Sequence, residues 1–217
     1  MDKVTMDFTA SRNWMVDGQV RPNKVSDARI IAAMRQIARE RFLPPAQAAL
    51  AYADIAVAIG GGRFMPQPMM TARLVQLAAP LAGERALVVG AGAGYTAAVL
   101  AACDVAVTAL DDDAARAAAV PVSERGAVKS VTGPLAAGWA AGGPFDIILI
   151  DGAVEEVPPA LVAQLTAKGR LIAVHQEGGF GRAVRGVVSN GTLLLVPAFD
   201  CNAPVLPAFR RAPAFAF

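Results

Sequence analysis

The spacing best suited to chemistry lies mid-chain, in Leu87-Val88-Val89-Gly90-Ala91-Gly92-Ala93-Gly94-Tyr95. An apolar run reads as a strand, and glycines follow at alternate positions before a helix-forming stretch. Glycine lets a backbone turn sharply and approach a ligand with no Cβ in the way. A helix starting behind it presents free N–H groups to an anionic group. Asp111 follows 17 residues after Gly94, at the end of the next apolar run. A carboxylate there accepts the hydroxyl protons of a ribose, at roughly 1.5–3 kcal/mol per charge-assisted bond. The pattern predicts a nucleoside cofactor cradled by Gly90, Ala91, Gly92 and Gly94, with Tyr95 near its far end and Asp111 on the ribose.

Three ligand classes compete for such a loop. A phosphate-binding P-loop needs Gly-Lys-Ser/Thr, and Gly94 is followed by Tyr95-Thr96 instead. A dinucleotide fingerprint needs Gly or Ala three residues after its second glycine, where Tyr95 stands. This disfavours a nicotinamide oxidoreductase. S-adenosylmethionine, with a ribose and a carboxylate but no phosphate, suits Gly-x-Gly-x-Gly with a downstream acid. A plain strand–helix turn is the competing structural reading. Asp112 is kept beside Asp111 as a cofactor contact, although Asp112 and Asp113 also read as a solvated helix start.

Asp151-Gly152 follows the apolar run Phe145–Ile150, at the edge where parallel sheets place ligands. Asp151 is the catalytic candidate, facing a transferred group or the substrate. A solvated loop acid before Glu155-Glu156 is the other reading, and both stay open. His175 reads as a structural residue after a strand, Trp139 as packing at the sheet edge and Cys103 as a small core residue. Gly60–Phe64 reads either as a mobile lid over the pocket or as a plain connector. The end of the chain, 207–217, holds three phenylalanines and two prolines. The three phenylalanines would expose apolar surface unless the segment folds back or joins a second copy.

Composition narrows the field. The 217 residues suit one domain with a small appendage. A 55% hydrophobic and 18% charged chain is not disordered. Twenty basic against 18 acidic residues, net +2, predict neither a nucleic-acid nor a membrane partner. One histidine and two cysteines leave no material for a His/Cys metal cage, so no metal is expected. Cys103 and Cys201 show no disulfide framework, and the N-terminus has no apolar signal region. These features predict a soluble, cytoplasmic protein.

The elements that must position these residues are read from periodicity. A helix begins near Ser26, a short helical stretch covers Gln47–Tyr52, and Pro68 opens another helix that stops by Pro80. From residue 85 strands alternate with helices: strands at Arg85–Val89, Val105–Leu110, Ala127–Val131, Phe145–Ile150 and Arg170–Val174, helices at Tyr95–Ala102, Asp112–Ala119 and Pro158–Ala167. That alternation predicts a parallel sheet covered by helices. Asn190-Gly191 between apolar runs predicts a closing antiparallel hairpin. The expected division is a helical addition over 1–80 and a cofactor-binding domain over 81–217.

With these pieces in place, the sequence resembles the protein-L-isoaspartate O-methyltransferase family, in a divergent bacterial branch. The likeness rests on Ala33-Met34, Arg39-Glu40-Arg41-Phe42-Leu43-Pro44, Ala51-Tyr52-Ala53-Asp54, Ile59-Gly60-Gly61-Gly62, Gln67-Pro68, the glycine loop through Leu100, Gly138-Trp139 and Pro144-Phe145-Asp146-Ile147-Ile148. The resemblance implies an α/β fold, a seven-strand class I methyltransferase sheet with Rossmann-like topology plus N-terminal helices. It implies S-adenosyl-L-methionine as methyl donor, S-adenosyl-L-homocysteine as product, and isoaspartyl carboxylates of damaged proteins as acceptors. Two positions depart from the family pattern. Pro66 replaces a serine expected beside the acceptor, and Gly133-Pro134 replaces a Gly-Asp whose acid faces adenine, leaving Pro134 and Leu135 to pack against the ring. The alternative is a family member that binds the cofactor but methylates another acceptor or acts as a binding or regulatory protein.

Overall fold

The computed structural model describes residues 7–121, 124 and 127–211. The chain opens with helices. Asp7 caps α1 (Phe8–Met15), its carboxylate accepting from the Thr9 and Ala10 N–H groups. The coil continues as a π-turn over Val16–Val20. Helix α2 (Ala28–Gln36) is capped by Asp27, one residue after the expected Ser26. The Ser26 N–H instead donates to the side chain of Gln76. A 3-10 stretch at Pro45–Leu50 precedes a small hairpin, β1 (Val57–Gly60) and β2 (Arg63–Met65). Helix α3 (Pro68–Ala78) starts on its proline as expected.

The sheet follows: β3 (Arg85–Val89), α4 (Tyr95–Ala101), β4 (Ala106–Asp111), α5 (Ala114–Ala118), β5 (Val128–Thr132), β6 (Phe145–Val154), α6 (Pro159–Val162), β7 (Leu165–Glu177), β8 (Phe180–Ser189) and β9 (Thr192–Asp200). The spatial order is β5-β4-β3-β6-β7-β8-β9. The first five of these strands pair in parallel, while β8 and β9 are antiparallel additions. Asn190 and Gly191 both take positive φ, +51° and +77°, as a tight hairpin turn requires. The order reverses between β3 and β6, which opens a crevice outside their C-terminal ends.

Strand alternation sorts the core. Ala86 and Val88 of β3 face one apolar cluster, shared with α2, α3, α4 and the N-terminal helix. Leu87 and Val89 face the other, with Leu135, Leu161, Leu206 and Phe209. Both faces are covered, so the inner strands read as continuous apolar runs.

Three expectations need correction. Strand β6 continues through Asp151-Gly152 to Val154, so Asp151 lies within a strand rather than after one. Helix α6 has four residues, not the ten expected over 158–167. Gln164 ends it: its amide holds the Ala137 and Ala160 carbonyls and the Trp139 N–H, and its carbonyl accepts from Phe145, which starts β7 at Leu165. His175 lies inside β7, opposite Arg182.

The C-terminal segment folds back. Ala153 and Leu206 exchange backbone bonds with 204 and 153, and Phe209 accepts from Glu155 N. Leu206 and Phe209 are buried, while Phe215 and Phe217 lie outside the described residues. Among the described residues no helix is long and apolar enough to cross a membrane.

Candidate active site

The glycine loop leaves β3 with positive φ at Gly90 (+75°), Gly92 (+57°) and Gly94 (+89°), conformations that L side chains avoid. Gly90 and Ala91 donate their N–H groups to Leu110 O at 2.9 and 3.0 Å, tying the loop to the end of β4. The next residue, Asp111, is fully buried. Its Oδ2 accepts from Gly92 N at 2.8 Å, and its Oδ1 from Asp113 N at 3.1 Å and Arg116 Nε at 2.9 Å. Arg63 Nη2 reaches Oδ2 at a longer 3.4 Å. Asp112, half-exposed, pairs with Arg63 at 3.1 Å and Arg116 at 2.9 Å. Asp113 caps α5 through Arg116 N, as a helix-start acid should.

Near this network Tyr95 Oη and Asp151 Oδ1 are buried without a hydrogen-bond partner, and the buried Thr96 hydroxyl lies beside Asp151. Burial pushes the Asp151 carboxyl up to about 6, against the opposing pull of the Thr96 hydroxyl, Arg63 and Arg39. Burial likewise raises the Tyr95 phenol. Tyr95 meets Phe42 edge-on, with centroids 5.3 Å apart, and carries the Arg39 guanidinium over its face at 4.6 Å. Arg39 is wholly buried, which pulls its pKa down. Its Nε donates to Ala51 O at 2.8 Å and its Nη2 to Pro66 O, so it anchors the segment where a serine was expected.

Two adjoining cavities meet at Asp151. The larger lies among Pro66, Gln67, Met70, Asp151 and the 202–206 segment. The smaller lies under Phe42, Ile59 and Phe64, against Gly90–Ala93 and Tyr95. The structure therefore brings Gly90, Ala91, Gly92, Tyr95 and Asp151 to one place, with Asp111 directly behind the loop. Gly94 caps α4 at its rim. Pro134 and Leu135 are placed otherwise. They begin a 3-10 turn beyond β5, and Leu135 is buried in the apolar cluster on the far face. Gly133 N still donates to Asp111 O at 3.0 Å, so the segment adjoins the acid through its backbone. Among the described residues no cluster of His, Cys, Asp or Glu could hold a metal ion.

Sequence reasoning missed Arg63, Arg39, Arg116, Thr96 and Leu206. Arg116 was readable in principle, four residues after Asp112 on a helix. Arg63 and Arg39 gave no local signal, because each reaches its partners across the fold.

The arrangement fits a nucleoside cofactor. The loop glycines form a bed that side chains would fill, the acid lies behind it, and unpartnered polar atoms face it. A Cβ at Gly90 would lie 2.8 Å from Arg63 Nη2, and one at Gly92 2.8 Å from Ile59 Cδ1. Both neighbours are far ends of flexible side chains.

Comparison with known proteins agrees with this geometry. The family model for protein-L-isoaspartate(D-aspartate) O-methyltransferase matches residues 11–185. A protein-L-isoaspartate O-methyltransferase of Methylorubrum extorquens is 41% identical over 177 residues, 80% of this chain and 78% of that one. One from Methanoregula boonei is 35% identical over 185 residues, 82% of each chain. Among solved structures, a protein-L-isoaspartate O-methyltransferase superposes with TM-score 0.75 at 23% identity, covering 91% of this chain and 65% of its own. A Plasmodium falciparum structure assigned as a beta-aspartate methyltransferase, in complex with S-adenosyl-L-homocysteine, gives 0.76 at 20% identity, covering 94% of this chain and 100% of its own. At such identities these structures support the class I methyltransferase fold. The sequence matches carry more: the chain belongs to the protein-L-isoaspartate(D-aspartate) O-methyltransferase family.

Proposed function

We propose that this protein is an S-adenosylmethionine-dependent O-methyltransferase that methylates isoaspartyl carboxylates in damaged proteins and peptides. The observation that carries the site is the pair of buried side chains Tyr95 and Asp151, each with an unpartnered polar atom, lining one cavity with a glycine loop backed by a buried acid. Buried polar groups are seldom left unpaired without a ligand or a catalytic reason.

In this reading Gly90, Ala91, Gly92 and Gly94 shape the cofactor bed. Asp111 and Asp112 hold the ribose side, Tyr95 borders the methionine part, and Pro134 and Leu135 take the adenine side through their backbone. When bound, S-adenosylmethionine supplies a methyl group on a sulfonium. The acceptor carboxylate is already ionised at neutral pH and needs no base. The protein's task is alignment and exclusion of water. A carboxylate arriving beside Asp151 raises its pKa further. Asp151 then keeps its proton and donates a hydrogen bond to the acceptor. Pro66 offers no hydroxyl at the larger cavity, so Gln67, Asp151, Arg63 and Asn202 supply the polar contacts there.

The division at residues 80 and 81 belongs to this proposal: the β1–β2 hairpin of the first part closes on the glycine loop of the second. Cytoplasmic residence without nucleic-acid or membrane partners rests on the near-balanced charge. Self-association through the end of the chain rests on Phe215 and Phe217, since Leu206 and Phe209 are used within the fold.

The test is calorimetric titration with S-adenosylmethionine and S-adenosylhomocysteine, followed by methyl transfer to an isoaspartyl peptide. Micromolar binding with turnover establishes the reading. Binding without turnover assigns a different acceptor or a regulatory role, the reading that Pro66 and Pro134 favour. No binding overturns it.

A further inference from the structure

The β1–β2 hairpin occupies the mouth of the cofactor bed. Its turn runs through three consecutive glycines with φ of +90°, +59° and +70°. A two-stranded hairpin is marginally stable alone; here Val57 and Met65 anchor its base in the core, and further contacts hold its outer part. Those outer contacts fall on the proposed cofactor loop and on the residues that surround Asp111. Ile59 Cδ1 stands over Gly92, and the backbone of Gly61 lies against Arg116. Arg63 Nη2 donates to Gly90 O at 2.7 Å and reaches Asp111, while Nη1 pairs with Asp112 at 3.1 Å.

Arg63 is almost wholly buried, yet its Nε has no hydrogen-bond partner. Burying a guanidinium is unfavourable unless its donors are well matched. Of the four donors on Asp111, Gly92 N, Asp113 N and Arg116 Nε lie at 2.8–3.1 Å. Two of them are backbone and the third is on α5. Arg63 is the longest, at 3.4 Å, and it alone sits on the hairpin. It also borders the larger cavity, so its guanidinium has somewhere to go. Arg39 also has one unpartnered nitrogen, Nη1, but two backbone carbonyls and the face of Tyr95 fix it in place, and it does not reach Asp111.

We infer that Arg63 is a displaceable internal ligand of the cofactor site. In the free protein it latches the hairpin shut on Gly90 and Asp111. A ribose takes over its share of Asp111, and the hairpin lifts to admit the cofactor. The inference rests on the proposed function, since it needs a nucleoside at this loop. Because only the unlatched fraction binds, apparent affinity is lowered by that fraction.

Calorimetric titration with S-adenosylhomocysteine is the first arm, on the wild type, Arg63→Ala and Ile59→Ala. Asp111 keeps three donors in Arg63→Ala, so the fold is retained. Both variants are expected to bind more tightly, by ~3–10-fold, as the closed fraction falls. Equal or weaker binding by Arg63→Ala overturns the latch, weaker binding meaning that Arg63 contacts the cofactor itself. The second arm is amide hydrogen exchange of the ligand-free proteins over 57–65 and 90–92, where Arg63→Ala should exchange faster. Unchanged exchange with intact binding sinks the latch and leaves the methyltransferase reading standing. Faster exchange with no binding by any variant sinks the cofactor reading while the contact itself stands. A wild type that binds poorly beside an Arg63→Ala that binds well supports both.

Discussion

Asp111 and Gly92, nineteen residues apart, are joined by a 2.8 Å hydrogen bond from the loop N–H to the buried carboxylate. The acid thereby fixes the loop's shape before any ligand arrives. A group placed to meet a ribose is at the same time a strut of the glycine turn. Losses at either end should appear in both stability and binding.

Asp111→Ala is therefore expected to lower S-adenosylhomocysteine affinity tenfold or more. It should also destabilise the fold by about 2–4 kcal/mol, because Arg63 and Arg116 lose a buried partner. Calorimetry and urea unfolding would measure the two effects. Full stability with weakened binding would mean that the strut role is unimportant.

Gly92→Ala tests the loop backbone. At φ +57° a side chain is strained by ~1–2 kcal/mol, and its Cβ would press on Ile59 Cδ1. Expected are a lowered melting temperature and loss of cofactor binding. A variant that binds normally would remove the close-approach argument.

Asp151 should make stability depend on pH. Its folded pKa, about 6, lies above the ordinary value of 3.8. Between those values the native state holds the proton more tightly than the unfolded chain. Stability from this group is full below pH ~4, falls as pH rises through the window, and is lost above ~6. Asp151→Asn should therefore be more stable than the wild type at pH 7.5, by up to roughly 3 kcal/mol, and close to it at pH 4. Unfolding curves at the two pH values check this, and a constant difference would show that the carboxyl does not titrate in that range.

Pro66→Ser should raise turnover on an isoaspartyl peptide while leaving S-adenosylhomocysteine affinity unchanged. The hydroxyl and the regained N–H would face the larger cavity, and the carbonyl held by Arg39 is retained. A shift in cofactor affinity alone would place residue 66 on the wrong side of the site.

The sheet was legible because its inner strands are unbroken apolar runs and its turns carry glycine, as at Gly90–Gly94 and Asn190-Gly191. The N-terminal helix was not, because α1 is mostly polar outside Met15 and depends on the Asp7 cap. Strand β6 was cut short in the reading at Asp151, since a carboxylate and a glycine look like a loop. Gly152 stays in the strand because Leu206 packs where its side chain would be, 2.7 Å from a Cβ built there. The glycine loop and its acid could be read from spacing. The arginines that hold them could not, because their partners are brought near only by folding. Arg63 and Asp111 are 48 residues apart.

The wall formed by 202–206 also sets an order of events during translation. The loop, the hairpin and Asp151 all leave the ribosome before that wall does. Since nascent domains tend to fold from the N-terminus onward, a chain stalled after β9 would carry its chemistry in an open trough, with Gly152 bare where Leu206 belongs. The cavity is completed by a segment that follows all seven strands of the sheet, so a polypeptide cut short before 202 has the sheet without the enclosure.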